Sequence, residues 1–588
     1  MKKLLLSGTA LFSVLSLSAQ VNVSTTPSNK VAVLEEYTGN YCTYCPDGHK
    51  IADQISATGA VSLKIQTGSF SGTDPIFGGS LQTPTGNTIA GPYDSQGYPN
   101  GTVSRAPGNL GVGRGTWISK VNAIQSQISP VNLYLVSDID VTTGQLNVSV
   151  EYYYTAAEAN ATNYLHIGYY QDDIPAMQID PLNINPSQYY MASEDLYDFD
   201  HCFRDMVNGT WGEVINTTGI GATGIINHTI TLPNAFNGFD VENGAIKVFA
   251  FMSTTSQGEI LTAAKNTPTY NNFPNTDEIG VIYATKLQDE DCIGVNASYS
   301  PKILVATYGS NPLTAFTTNY GVNGGTDTDA WTGNITHNKK TVVNLAATSF
   351  SYQTSNALNI DVVDPNSVTD PILANNSIAK TFNGGAVANT NKIRIDASMD
   401  QYGTADPSSF ILYKSGASVL TSGNIPNSTT TSYFYNLPAG TDCYKVKLID
   451  GYGDSWGAGK SLKVYDVTGG ANTLIHTVDA SSFGSQLFGA MELTSTGSPA
   501  AIEELENEKL SVYPNPASDV LNIDFNAISG DYSIELVDLQ GRSVYSENLA
   551  NVSGQQALSI PVANIAKGAY MIVMSSNNKK TVKNIVIK

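Results

Sequence analysis

At 588 residues the chain is too long for one domain, and typical domain sizes suggest about three to five. Charged residues make up only 14%, while Gly (52) and Tyr (32) are plentiful, a mixture that favours β-sandwiches with polar turns over helical bundles. The formal net charge of −21 argues against nucleic acid as a partner, because phosphate binding needs a basic surface.

The chain opens with Met1-Lys2-Lys3, a short basic segment, followed by an apolar run from Leu4 to Leu17 that ends in Ser18-Ala19-Gln20. This is the pattern of a secretory signal peptide over residues 1–20, too short for a stable membrane anchor. No cysteine lies near the cleavage point, which argues against a lipid anchor there, and no later segment is apolar enough to span a bilayer as a helix. Five cysteines are present. Cys42 and Cys45 form a local pair, while Cys202, Cys292 and Cys443 are scattered. At least one thiol therefore stays free or pairs between molecules, and stability rests on ordinary cores.

Val31-Ala32-Val33-Leu34 reads as a strand, and Ile51-Ala52-Asp53-Gln54-Ile55 as one face of a helix. Between them lies Tyr37-Thr38-Gly39-Asn40-Tyr41-Cys42-Thr43-Tyr44-Cys45-Pro46-Asp47-Gly48-His49. A C-x-x-C between a strand and a helix suits thiol–disulfide exchange. Cys42 would sit at the helix N-terminus, where free N–H groups stabilise a thiolate, and Cys45 would resolve a mixed disulfide. A structural disulfide and a redox fold retained for binding stay open. Zinc would need more ligands than His49 adds, and Pro46 stands where c-type haem attachment needs His.

Glu35 and Glu36 end the first strand, one facing each way. An inward Glu36 could pass a proton to the cysteine pair; the simpler reading leaves both carboxylates in water at the strand end. Val61-Ser62-Leu63-Lys64-Ile65 alternates like a strand, Gly97-Tyr98-Pro99 precedes another that ends in Arg105, and Trp117, Ile118, Val121 and Ile124 have helical spacing. This order over residues 31–129 resembles the thioredoxin fold. The resemblance implies that Pro99 is cis and packs beside Cys42 and Cys45; an ordinary trans-Pro opening a strand is the alternative.

From residue 130 the period changes. Val131 to Val136, Leu146 to Tyr152, Tyr164 to Tyr169 and Ala245 to Phe251 alternate, predicting a β-sandwich over 130–268. His201 and Cys202 are adjacent on an extended chain, so they point apart and are poorly placed as base and nucleophile. The string Leu34-Glu35-Glu36-Tyr37-Thr38-Gly39 leading into C-x-x-C-P-x-G-H, G-Y-P before Arg105, and His201 with Arg204 leading into N-G-x-W-G resemble the outer-membrane-protein-28 family over about residues 31–268. That family belongs to Gram-negative bacteria with a type IX secretion system. The resemblance implies surface location and an adhesive or receptor role.

Lys302 to Thr307, Ala315 to Tyr320, Val342 to Leu345 and Leu358 to Val362 predict an immunoglobulin-like sandwich over 298–385. A further unit over 388–495 carries Asp450-Gly451-Tyr452-Gly453-Asp454-Ser455-Trp456-Gly457 and resembles jelly-roll modules of secreted bacterial proteases and adhesins. Asp450 and Asp454 could offer oxygens to Ca²⁺, although the EF-hand spacing fails and a plain hairpin turn is the simpler reading. After an acidic linker, residues 508–588 carry Tyr513-Pro514-Asn515-Pro516, Gly541-Arg542, Lys567-Gly568-Ala569-Tyr570 and a Lys-rich end. They resemble the type IX C-terminal sorting domain. That implies engagement with the type IX machinery, passage through the outer membrane, and removal of the domain with attachment to surface lipopolysaccharide or release.

The chain thus reads as a multidomain, mostly β protein, with a thioredoxin-like α/β unit followed by Ig-like and jelly-roll-like sandwiches, exported to the outer membrane surface or beyond. Two functions remain. One is a binding or adhesion protein for an unnamed surface ligand, with Cys42–Cys45 structural. The other is an extracellular thiol–disulfide oxidoreductase using Cys42, Cys45, Pro99 and Glu36 on a protein thiol partner. The Tyr-, Thr- and Asn-rich sandwiches and the lack of any encoded source of reducing equivalents favour the first.

Overall fold

The computed structural model describes residues 22–180, 182–401, 407–451, 455–481, 483, 485–497, 510–576 and 579–588. The expected signal peptide, the acidic linker and Asp454 lie outside the described residues.

The chain begins with a strand–helix–strand unit: β1 (Val33–Thr38), α1 (Cys45–Ala57) and β2 (Val61–Gln66). α2 (Pro84–Ala90), β3 (Asn100–Val103), β4 (Val112–Gly113) and α3 (Trp117–Gln125) follow. β1 and β2 are parallel, Val33 opposite Val61, and β3 runs antiparallel on the other side of β1, Leu34 opposite Val103. Thr83 caps α2, its hydroxyl accepting from Gly86 N at 3.1 Å.

Every residue of β1 and β2 is buried. On one face Val33, Tyr37, Leu63 and Ile65 pack with Ile89 of α2 and Phe249. On the other, Leu34 packs with Ala52 and Ile55 of α1 and with Trp117 and Val121 of α3. Such two-sided cover is the usual setting of parallel strands, whose crossover helices cover the faces. It corrects the reading of Glu35 and Glu36 as solvated: they point to opposite faces and both are buried.

The sheet does not stop at the end of this unit. β5 (Val131–Asp140), β6 (Gln145–Tyr154) and β7 (Asn163–Gln171) come next. The strand Cys202–Met206 pairs parallel to β2, with Cys202 opposite Lys64, and antiparallel to β7. Strands Ile246–Ser253 and Ile260–Asn266 extend the sheet beyond β7 to a total of nine strands, including Glu213–Ile215. A second sheet containing β5, β6 and Thr223–Thr231 lies over the β7 half, burying Leu135, Val148, Ile167 and Val248 between them. The expected units 31–129 and 130–268 therefore share one sheet. The change of period near residue 130 marks where the second layer begins.

Between β7 and Cys202 the chain leaves the sheet and forms three short strands, Ile174–Met177, Tyr189–Met191 and Leu196–Phe199, with the last in the middle. The remaining units each have their own core. One, beginning already at Ile279–Ala284 beside Lys302–Thr307, packs Ile303, Phe316, Tyr320 and Ile360. The next packs Ile395, Phe410, Val446 and Trp456 between a five-stranded and a four-stranded sheet. The last packs Leu521, Ile534, Ile572 and Ile585. A disulfide, Cys292–Cys443, ties the unit that begins at Ile279, the third along the chain, to the one after it. Among the described residues no helix is long and apolar enough to cross a membrane.

Candidate functional site

Cys42 and Cys45 are disulfide-bonded. α1 starts at Cys45, so Cys42 sits one turn ahead of the helix and not in its first turn. Cys42 N donates to Gly39 O, and Cys45 N to Cys42 O, each at 3.1 Å. Both residues are buried, Cys42 at 3% exposure and Cys45 at 0%. The cover comes from the short strands after β7. Gln178 Nε2 donates to Cys42 O at 3.3 Å, and Ile179 N donates to Asn40 O at 3.0 Å. Only the rim is open, where Tyr41 and Tyr44 are 40% and 53% exposed and Arg114 lies over the Tyr44 ring.

Pro99 follows a cis peptide bond and packs against α1. A Cβ on Gly48 would stand 2.5 Å from Glu36 Oε1 and 2.9 Å from Pro99 Cβ, so the absence of a side chain at Gly48 lets β1 and Pro99 close on the helix. Glu36 is fully buried, and among the described residues neither of its oxygens has a hydrogen-bond partner. Burial pushes its carboxyl well above the usual carboxylate range, with Lys64 opposing.

Glu36 borders a buried polar chain that the sequence did not reveal. Lys64, opposite Glu36 in the β1–β2 register, donates to Asp53 Oδ1 at 2.6 Å. Burial alone would raise the Asp53 carboxyl, but Lys64 and His201 hold it well below its ordinary value. His201 Nδ1 lies 3.4 Å from Asp53 Oδ1, and its Nε2 shares a hydrogen with Ser56 Oγ at 2.9 Å. His49 bridges Thr38 Oγ1 at 2.7 Å and Tyr197 OH at 3.2 Å, and burial, with Lys64, lowers its pKa so that it is neutral. His49 is thus a satisfied core residue.

Glu35, on the opposite face, is held by Arg105: Nη2 to Oε1 at 2.6 Å and Nε to Oε2 at 3.0 Å. The guanidinium lies 5.1 Å from the Phe251 ring centroid and 5.9 Å from that of Trp211. Three pieces of sequence pattern, at residues 35, 105 and 211, meet at this point. Cys202 is free and fully buried, and its charged neighbours are Arg204, Lys64 and Asp172. The structure does not join it to His201. Asp450 is buried, with Oδ2 accepting from Ser455 N at 2.8 Å and Oδ1 from Ser408 Oγ at 3.3 Å.

Residues 87–268 match the family model for outer membrane protein Omp28. Residues 511–588 match that for a secretion system C-terminal sorting domain. The chain carries an Omp28 region and a type IX sorting domain. The protein is accordingly exported, to the outer membrane surface or the extracellular space, and the sorting domain implies engagement with the type IX machinery. The matched Omp28 range starts inside α2 and ends past Ile260–Asn266, so Cys42, Cys45 and α1 lie upstream of it, between β1 and β2 of the same sheet. Among solved structures the chain is similar to HBP35 of Porphyromonas gingivalis, at 12% identity and a TM-score of 0.29 over 52% of this chain and 99% of that one. It is also similar to a domain of the outer membrane lipoprotein Omp28 from Porphyromonas gingivalis, at 12% identity and 0.17 over 24% and 91%. Likenesses this weak carry no weight for function. No curated protein matches.

Proposed function

We propose that this is a binding protein of the cell surface, adhesive in type, in which Cys42–Cys45 is a structural disulfide. The observation that carries the reading is the burial of both cysteines beneath Gln178 and Ile179. A dithiol enzyme presents one sulfur to its partner, because exchange needs in-line access to it. Here the pair instead pins the loop that enters α1. Tyr41, Tyr44 and Phe70, each at least 40% exposed around this loop, supply the aromatic surface that protein interfaces favour. The β1–α1–β2 unit, with β3 antiparallel and Pro99 against the helix, supports a thioredoxin-like framework used for binding. We assign Ca²⁺ at the Asp450 turn no role, since Ser408 and Ser455 already engage both carboxylate oxygens.

The test is turnover. With glutathione disulfide or glutathione as the co-substrate, the full-length protein should neither oxidise a dithiol test peptide nor reduce its disulfide form faster than its Cys42→Ala/Cys45→Ala variant does. Multiple turnovers dependent on both cysteines would overturn the reading.

One observation favours the second reading, an extracellular thiol–disulfide oxidoreductase. A buried Glu36 without a hydrogen-bond partner, against α1 at Gly48, fits a group that takes the Cys45 Sγ–H proton as that sulfur attacks a mixed disulfide at Cys42. The same turnover assay, run with Glu36→Gln, decides it: loss of turnover in that variant would establish the role.

A further inference from the structure

We infer that access to the Cys42–Cys45 disulfide is governed by the third unit of the chain, acting through the three short strands between β7 and Cys202. These strands form a strap held between two bodies. On its inner side it caps the disulfide loop through Gln178 and Ile179, and Tyr197 reaches His49 on α1. On its outer side it meets the unit that begins at Ile279. Leu304 of the strand Lys302–Thr307 is the telling residue. Its neighbours Ile303 and Val305 point into that unit's own core, whereas Leu304 points out and is fully buried against Met191 and Leu196 of the strap.

Polar contacts fix the same seam. Tyr283 OH donates to Glu194 Oε2 at 2.6 Å, and Lys340 Nζ donates to Asp173 O at 2.8 Å and to Glu242 Oε2 at 2.7 Å. The strap has little stability of its own. Its strands are 4, 3 and 4 residues long, and strands so short need a packed partner on a face to persist. Loosening the third unit therefore frees the strap, and freeing the strap uncovers Cys42. Linkage makes the coupling reciprocal: cleaving the disulfide weakens the docking of the third unit by the same factor. A ligand or a mechanical load that displaces the third unit would expose the disulfide at a site distant from where it acts.

The experiment measures reduction kinetics in the full-length oxidised protein. Excess dithiothreitol supplies two electrons and two protons and closes to its own cyclic disulfide, while iodoacetamide traps each thiol for peptide mass spectrometry. Cys292–Cys443 in the same molecule is the internal reference. Leu304→Asp should speed reduction of Cys42–Cys45 at least tenfold relative to the reference. Tyr283→Phe, which removes one hydroxyl and leaves the third core untouched, should speed it severalfold. Acceleration confined to Cys42–Cys45 supports the coupling. Unchanged rates in both variants, or equal acceleration of both disulfides, overturns it. The inference holds for a structural or an exchanging disulfide alike, so its failure would leave the turnover result standing.

Discussion

Replacing Arg105 by Met should cost the N-terminal sheet about 3–5 kcal/mol, because it strands a buried carboxylate. Glu35 and Arg105 have side-chain exposures of 2% and 6%, and the guanidinium meets both carboxylate oxygens in a fork. Removing the cation also removes its stacking on Phe251 and Trp211, which adds about 0.5–2 kcal/mol within that range. Glu35→Gln alone leaves the guanidinium buried with one further acceptor, Ser256 O at 3.5 Å, and should cost a similar amount. The double variant Glu35→Gln/Arg105→Met removes both charges at nearly constant volume. It should be less destabilised than the sum of the singles by at least about 2 kcal/mol. The assay is hydrogen exchange of β1 and β2 peptides across a urea series, which reports this sheet locally in a chain of several domains. Single-variant losses below about 1 kcal/mol, the size of a surface ion pair, would refute the reasoning, as would strict additivity.

Gly48→Ala should destabilise the same region by about 1–2 kcal/mol: the gain of about 1 kcal/mol from helix propensity is outweighed by overpacking against Glu36 and Pro99, and a more stable variant would contradict that packing. Glu36→Gln should stabilise it. The folded carboxyl titrates well above 4.5, so the wild type loses stability as pH rises from the unfolded value toward the folded one, while the amide does not; stability curves from pH 4 to 8 that stay parallel would exclude this. Cys292→Ser/Cys443→Ser should lower the denaturation midpoint of the two units it joins, since a closure of separation 151 constrains the unfolded chain by up to about 5 kcal/mol. Deleting residues from about 508 onward should leave the protein in the periplasm, read by cell fractionation; wild-type surface levels would count against the sorting role.

What the sequence disclosed was local. The Y-P-N-P to K-G-x-Y series and the strand–C-x-x-C–helix string each lie within one or a few elements, so their residues announce the arrangement directly. What it hid depends on distant partners. Cys42 read as a thiolate ready for exchange because its cover, Gln178, arrives 136 positions later. Glu36 looked solvated because charged residues are rarely fully buried, and nothing in its own strand announces the helix that covers it. A Lys in the middle of Val61–Gln66 was the available hint, since its partner Asp53 lies on the intervening helix. The shared sheet was hidden for a related reason: the strand parallel to β2 begins at Cys202, and parallel neighbours leave no turn signal between them.

The central claim, that Cys42–Cys45 is a buried structural bond in a surface binding protein, is tested most directly by its reduction potential. It is measured in the full-length protein against a redox buffer series with trapping of the Cys42 and Cys45 thiols. The account predicts a value below about −300 mV, where structural disulfides of exported proteins lie. A value between about −270 and −120 mV, the range of catalytic dithiols, would contradict it.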